Sequence, residues 1–224
     1  MKNKISKAQT NNEGFANGLC FNKLVWIFLI CCVVGFIVET IWCLIRYGYI
    51  ESRKSLVYGP LSVAYGMGGV ILTLALYKLK DESPGKVFFI SFIVGTVTEY
   101  ICSLGQEIVF GSVAWDYSNV PLNINGRVCL LYSLFWGVLG IVWIKLIYPH
   151  MSVLIEKMPV NIGMILTWAF VVFFVFDSFM SATAALRMDA RNAGEPPSNH
   201  FEVFLDDRFD DERMHSIYAN SKDI

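Results

Sequence analysis

The sequence is short of charge. Asp, Glu, Lys and Arg make up 17% of its 224 residues, and only 3 histidines occur, at positions 150, 200 and 215. Neither end offers the basic surface that nucleic acid needs: Lys2, Lys4, Lys7 and Lys23 precede the first apolar run, while the chain beyond position 192 is rich in Asp and Glu. No GxxxxGK[ST] run is present, so a recognisable Walker A nucleotide site is excluded, and HExxH and GxSxG are missing as well. No nucleophile and base stand at a diagnostic spacing. Catalytic residues are therefore assigned to none, and whether the chain is an enzyme stays open. The cysteines, at positions 20, 31, 32, 43, 102 and 129, form no CxxC and have no accompanying histidines. They read as small apolar packing groups, with no metal and no cofactor assigned.

What the sequence has in excess is apolar surface. Hydrophobic residues make up 55% of the chain and the mean hydropathy is +0.50, concentrated in five long runs. A bilayer core about 30 Å thick takes about 20 apolar residues to cross as a helix. The runs predict an all-α, polytopic integral membrane protein with about five transmembrane helices, near 24–45, 61–77, 87–109, 128–147 and 162–186. The first run is too long for a signal-peptide core and lacks a small-residue cleavage pattern, so it is expected to remain as an anchor. Three regions follow: a polar cytoplasmic N-terminal arm at 1–23, a transmembrane domain at 24–191 and an acidic C-terminal tail at 192–224. The tail is expected to be mobile, with a short surface helix or recruitment of a basic partner as other readings. Pro149 and Pro159 mark a surface connection between the fourth and fifth helices. The excess of lysine at the N-terminal arm and the 78–86 hairpin places the N terminus in the cytoplasm and, with five spans, the C terminus outside.

The residues that most need explaining are acids inside these runs. Glu99 lies near the middle of the third, Glu39 in the second half of the first, and Asp177 in the last. A carboxylate at such depth is expensive unless it is paired, protonated or facing water. Glu39 and Glu99 also share a context: Val34-Gly35, Glu39 and Ile41 match Val94-Gly95, Glu99 and Ile101 at an offset of 60 residues. Arg46 and Gln106 stand seven residues beyond each Glu, on the same helical face. The next helices rhyme too, Ser62-Val63-Ala64-Tyr65-Gly66 against Ser133-Leu134-Phe135-Trp136-Gly137. A duplicated two-helix unit accounts for both matches, and so does chance likeness between apolar, glycine-bearing helices.

The loop after the third run carries Trp115-Asp116-Tyr117-Ser118 and Asn125-Gly126-Arg127. Arg46 and Arg127 suit an anionic head group or carboxylate, whereas pairing of Arg127 with Asp116 would simply close the loop. The candidate intramembrane polar or ligand site is Glu39, Arg46, Glu99, Gln106, Trp115, Asp116, Arg127 and Asp177. Structural roles go to Gly35, Gly59, Gly95, Gly126 and Gly137, and to Pro60 as the start of the second helix.

Taken together, Gly35-x3-Glu39, Tyr58-Gly59-Pro60-Leu61, Gly95-x3-Glu99, Trp115-Asp116-Tyr117-Ser118 and Asn125-Gly126-Arg127 resemble the ABC-transporter type IV, or CmpB-like, family of bacterial multi-pass membrane proteins. The resemblance runs over about 24–191. It implies a permease-like or transport-associated protein of the bacterial cell membrane, surrounded by lipid, and supplies no substrate. It further implies an ATPase on a separate polypeptide and assembly with another membrane subunit or a second copy. The clustering of Arg127, Asp116 and Trp115 near an interface supports an alternative, an enzyme or sensor acting on envelope lipids. A structural membrane scaffold is the third reading.

Overall fold

A computed structural model of the chain describes residues 14–110, 112–113, 115–219 and 222–223. Residues 1–13 of the expected cytoplasmic arm lie outside that set; the part that follows them is packed, with Phe15 and Ala16 buried. The helices are α1 (Phe21–Tyr47), α2 (Val63–Leu76), α3 (Pro84–Phe110), α4 (Leu130–Val142), α5 (Tyr148–Glu156), α6 (Val160–Asn192), α7 (His200–Arg208) and α8 (Asp211–Ile217). Two-residue strand pairings are the only sheet among the described residues, so the fold is all-α in substance.

Among the described residues, four helical stretches are long and apolar enough to cross a bilayer: Phe21–Tyr47, Pro84–Ile108, Leu130–Glu156 and Val160–Asn192. The apolar stretch Val63–Leu79 is shorter. At most 28% of the most apolar window in any of the four is buried. Large apolar side chains such as Ile45, Ile108, Ile165 and Val172 therefore face outward, which is the arrangement lipid favours and water penalises.

Between lipid-exposed helices there is little hydrophobic drive to associate, so contact depends on close van der Waals fit. Glycine supplies that fit at matched places. On α1 and α2, Gly35 lies under Tyr65, Gly66 under Phe28 and Cys32, and Gly69 under Cys31. On α3 and α4, Gly95 lies under Trp136, Gly137 under Phe88 and Gly140 under Ser91. Each α3 member stands 60 positions after its α1 counterpart, and each α4 member 71 after its α2 counterpart. The two pairs are joined where Trp143 Nε1 donates to Thr73 Oγ1 over 3.0 Å. The fully buried Ile27, Leu72, Leu76, Val87 and Ile144 fill the space there. α6 is fastened to α1 by Trp26 Nε1, which donates to Thr167 Oγ1 over 2.9 Å, and by the edge-to-face pair Phe28–Phe174. Near the N-terminal end of α1, the buried Lys23 ammonium donates to Ser152 and pairs with Glu156 on α5.

Two boundaries differ from the sequence expectation. Pro60 does not open the second helix, which begins at Val63 after Ser62 has donated its backbone N–H to the Cys32 carbonyl. Pro149 does not break the fourth: α4 continues into α5 through a wider π-helical turn at Trp143–Ile147. That turn resolves the clash a proline ring makes with the carbonyl four residues earlier, so one apolar rod runs over Leu130–Glu156.

The acidic tail, expected to be mobile, is helical over α7 and α8. Its charge per residue suggested solvation, but every few residues an apolar side chain turns inward: Leu205, Phe209, Met214 and Ile217 pack on Val57, Met180 and Ala184. The acids have specific partners. Arg187 reaches Asp206 through two 2.9 Å hydrogen bonds, and Arg191 joins Asp206 and Asp211. Each helix is capped, by Asn199 accepting from the Glu202 N–H and by Asp210 accepting from the Arg213 N–H.

Two outcomes are expected from this packing. Gly95→Ala drives a methyl group into Trp136 and destabilises the purified protein by about 1–3 kcal/mol, whereas Gly105→Ala, which meets nothing within 4 Å, is neutral or stabilising by up to about 1 kcal/mol; thermal unfolding in detergent compares them. Hydrogen bonds from Arg187, and then Arg191, hold the Asp206 carboxyl below its ordinary value. A depressed folded-state value means that its contribution is complete above the unfolded value of about 3.9 and is lost as pH falls through the folded one. Hydrogen exchange over 199–217 is expected to stay slow from pH 7 to about pH 5 after correction for intrinsic rates, and to accelerate selectively below about pH 4.

Candidate functional site

Glu99 sits halfway along α3 with 9% of its surface exposed, in the gap that Gly95 opens for the Trp136 side chain one turn earlier. Trp136 Nε1 donates to one carboxylate oxygen over 3.1 Å and the Tyr117 hydroxyl donates to the other over 2.9 Å. Both oxygens are thus engaged by neutral donors. No ion pair reaches Glu99 among the described residues. Burial, and then the adjacent carboxylate, push the Tyr117 phenol above its ordinary range, so it remains protonated and able to donate.

Tyr117 reaches Glu99 because the loop that bears it is built from local hydrogen bonds. Asp116 accepts from the Ser118 N–H at 2.8 Å and from its hydroxyl at 2.6 Å, and the Tyr117 N–H donates to the Gly126 carbonyl over 2.7 Å. A hairpin pairs β1 (Asn123–Ile124) with β2 (Val128–Cys129) across a tight turn at Asn125 and Gly126, with φ of 53° and 68°. Positive φ at both central positions is the geometry for which Asn-Gly is suited. A side chain at Gly126 would also strike Ser118 and Asp116, so the turn and the Asp116 cap require each other. Trp115 closes the loop by donating from Nε1 to the Arg127 carbonyl over 2.9 Å, and the Tyr117 ring stacks on Tyr132 at 4.6 Å.

Arg127 turns toward α3. It pairs with Glu107, donates to Ser103 over 3.3 Å and lies over the Tyr100 ring. Its ion-pair partner among the described residues is Glu107; the sequence left open an anionic ligand or pairing with Asp116. Gln106 is half-buried on the same stretch of α3.

Glu39 occupies a comparable place on α1: Tyr65 of α2, packed over Gly35, donates to it over 2.6 Å. The arginine near it is Arg53, which pairs with Glu51 at 2.9 Å and lies within electrostatic reach of Glu39 and Cys43. Arg46 is exposed in the last turn of α1 and makes no ion pair among the described residues. Cys43 and Ser103, which their respective arginines approach, again lie 60 positions apart. Ser52 Oγ and Arg53 Nε are buried without a hydrogen-bond partner among the described residues.

Asp177 belongs to neither group. Fully buried on α6, it accepts from the Tyr58 N–H at 3.0 Å and from Ser181 at 3.4 Å, while Ser181 accepts from the Val57 N–H at 2.9 Å. It therefore anchors the segment before α2, whose Gly59 has φ of 71° and whose Tyr58 ring lies against Phe176 and Phe209. The three membrane acids thus have three separate environments. Among the described residues no three His, Cys, Asp or Glu side chains converge as a metal site.

Sequence reasoning missed Arg53, Ser103 and Glu107 as members of these groups. The signal for Ser103 was its position four residues, one turn, beyond Glu99. Tyr65 and Trp136 were visible only as repeat equivalents, because a hydrogen bond between helices leaves no spacing in the sequence.

Four membrane-length helices among the described residues, one of them carrying a buried acid held by two hydrogen bonds, define a polytopic helical membrane protein. The chain belongs to the family described as Putative ABC-transporter type IV, whose family model matches residues 26–182. No curated protein and no solved structure matches it. The family match includes the Glu39, Glu99 and Asp177 environments and ends before α7.

Tyr117→Phe removes one donor from Glu99 and is expected to lower stability in detergent by about 1–3 kcal/mol. In the Glu99→Gln background the same change is expected to cost less, giving a non-zero coupling in the double-mutant cycle.

Proposed function

We propose that this chain is a permease-like subunit of a membrane transport assembly and that Glu99 is its functional centre. The observation that carries the reading is the carboxylate's surroundings: neutral donors hold both oxygens, and no cation neutralises it among the described residues. Nearby Glu107, by contrast, has an arginine of its own. An acid that is positioned but not neutralised is suited to accept a proton or a cationic group and release it again. Trp115, Asp116 and Arg127 act as the frame that holds Tyr117 to it, with Gln106 on the same helix. Family membership supports the transport reading.

Glu39, with Tyr65 and Arg53, is the counterpart of Glu99 in a duplicated two-helix unit. The paired glycine contacts at constant offsets support this. Val63–Leu79 is then a fifth, short span; its 17 residues rise about 26 Å, close to the hydrocarbon thickness. Five crossings with lysine-rich inner segments leave the N terminus in the cytoplasm and the C terminus outside. Arg46 serves the outer interface and Asp177 holds the outer loop. ATP hydrolysis comes from a separate polypeptide, and the membrane assembly is completed by a second copy or another membrane subunit.

Glu99→Gln tests the centre. It is expected to insert in the membrane and remain monodisperse, yet fail to rescue growth of a strain lacking the protein under conditions where the parent does so. A well-folded variant with full rescue would overturn the assignment. Purification in mild detergent tests the assembly, and reproducible absence of both an ATPase and self-association would reject it.

A further inference from the structure

The outward face of α6 is an apolar stripe in which Val172, Val175 and Phe179 are 66%, 62% and 57% exposed. From Val160, at the start of the helix, Phe179 lies 19 residue steps along, a rise of about 29 Å that matches a hydrocarbon core of about 30 Å. Phe179 therefore stands at the far edge of the acyl region. The stripe does not stop there. The Phe179 ring stacks on Phe201 of α7 with centroids 6.2 Å apart, and Phe201 stacks on Phe204 at 6.3 Å. Phe201 and Phe204, three residues apart and so on one helical face, are 41% and 46% exposed.

Another face of α7 packs on the protein. Leu205 is buried in the cluster shared with α6 and α8, and Asp206 is held by Arg187 and Arg191, two to three turns beyond Phe179. We propose that α7 is an interfacial helix: its protein contacts dock it, and Phe201 and Phe204 lie in lipid at the boundary between acyl chains and head groups, on the side where α6 ends. The occupant is lipid because the pair continues the lipid-facing stripe of α6 at a depth where aromatic rings are favoured. The ion pairs of Asp206 lie further along α6, toward the aqueous side, where charge is tolerated. The placement concerns a segment outside the family match and does not depend on the role given to Glu99.

Incorporation of the photo-crosslinker p-benzoyl-phenylalanine at position 204 of the full chain, in vesicles of phosphatidylethanolamine and phosphatidylglycerol, tests this. Irradiation is expected to give lipid-mass adducts at 204 at least several-fold above those at the control position 215, exposed on α8. Adducts no greater at 204 than at 215, or a covalent dimer in their place, would overturn it, the latter in favour of a second copy. Should the substituted chains fail to fold, radical footprinting of the unaltered protein in lipid nanodiscs decides. Phe201 and Phe204 are expected to oxidise several-fold more slowly than the exposed His215, and oxidation as fast as His215 would overturn the proposal.

Discussion

Glu99 keeps its carboxylate inside an apolar bundle because two neutral donors reach it from different parts of the chain, the Trp136 indole on α4 and the Tyr117 phenol on the connecting loop. Leaving a buried polar group unpaired costs about 1–3 kcal/mol, and more for a charged one. That penalty explains the organisation around it. Gly95 must be bare for Trp136 to descend, and the loop must fold back on α3 for Tyr117 to arrive. The Asn125-Gly126 turn, the Asp116 cap and the Trp115 bond to the Arg127 carbonyl all serve that return. Arg127, sequestered by Glu107, fastens the loop to α3.

The same economy appears in the α1–α2 pair, with a difference that matters. Tyr65 replaces Trp136, and only the phenol is shown reaching Glu39, which is less enclosed than Glu99. The contacts of Gly35, Gly66 and Gly69 reproduce those of Gly95, Gly137 and Gly140 because a small residue beneath a large one is what permits two helices to approach in lipid. Where the pairs meet, the indole of Trp143 donates to the Thr73 hydroxyl, so each of these buried polar groups is satisfied by the other.

The C-terminal region uses a different physics. α7 and α8 carry many acids, yet they hold to the end of α6 by apolar burial reinforced with the paired arginines Arg187 and Arg191. Their Phe209 ring meets Tyr58, whose backbone N–H is held by Asp177. The tail, the C-terminal end of α6 and the segment before α2 are consequently one packed unit. Within that unit Asp177 accepts from the Tyr58 N–H and from Ser181.

Hydropathy alone determined that the chain is helical and built for a membrane, since run length and the cost of exposed backbone in lipid leave few alternatives. The anomalous acids and the Asn-Gly turn were equally legible, because depth within an apolar run and a demand for positive φ are local properties. Partner identity was not. That Arg127 takes Glu107, that Arg53 rather than Arg46 stands near Glu39, and that Asp177 serves Tyr58 depend on helix rotation and loop return, which no spacing encodes. The passage of a helix through Pro149 depended on a π-helical turn supported by Trp143 packing. The packing of α7 and α8 depended on a surface that α6 and Val57 create only when folded. Local sequence settles what a segment costs in lipid or water; only the tertiary structure decides which distant side chain relieves that cost.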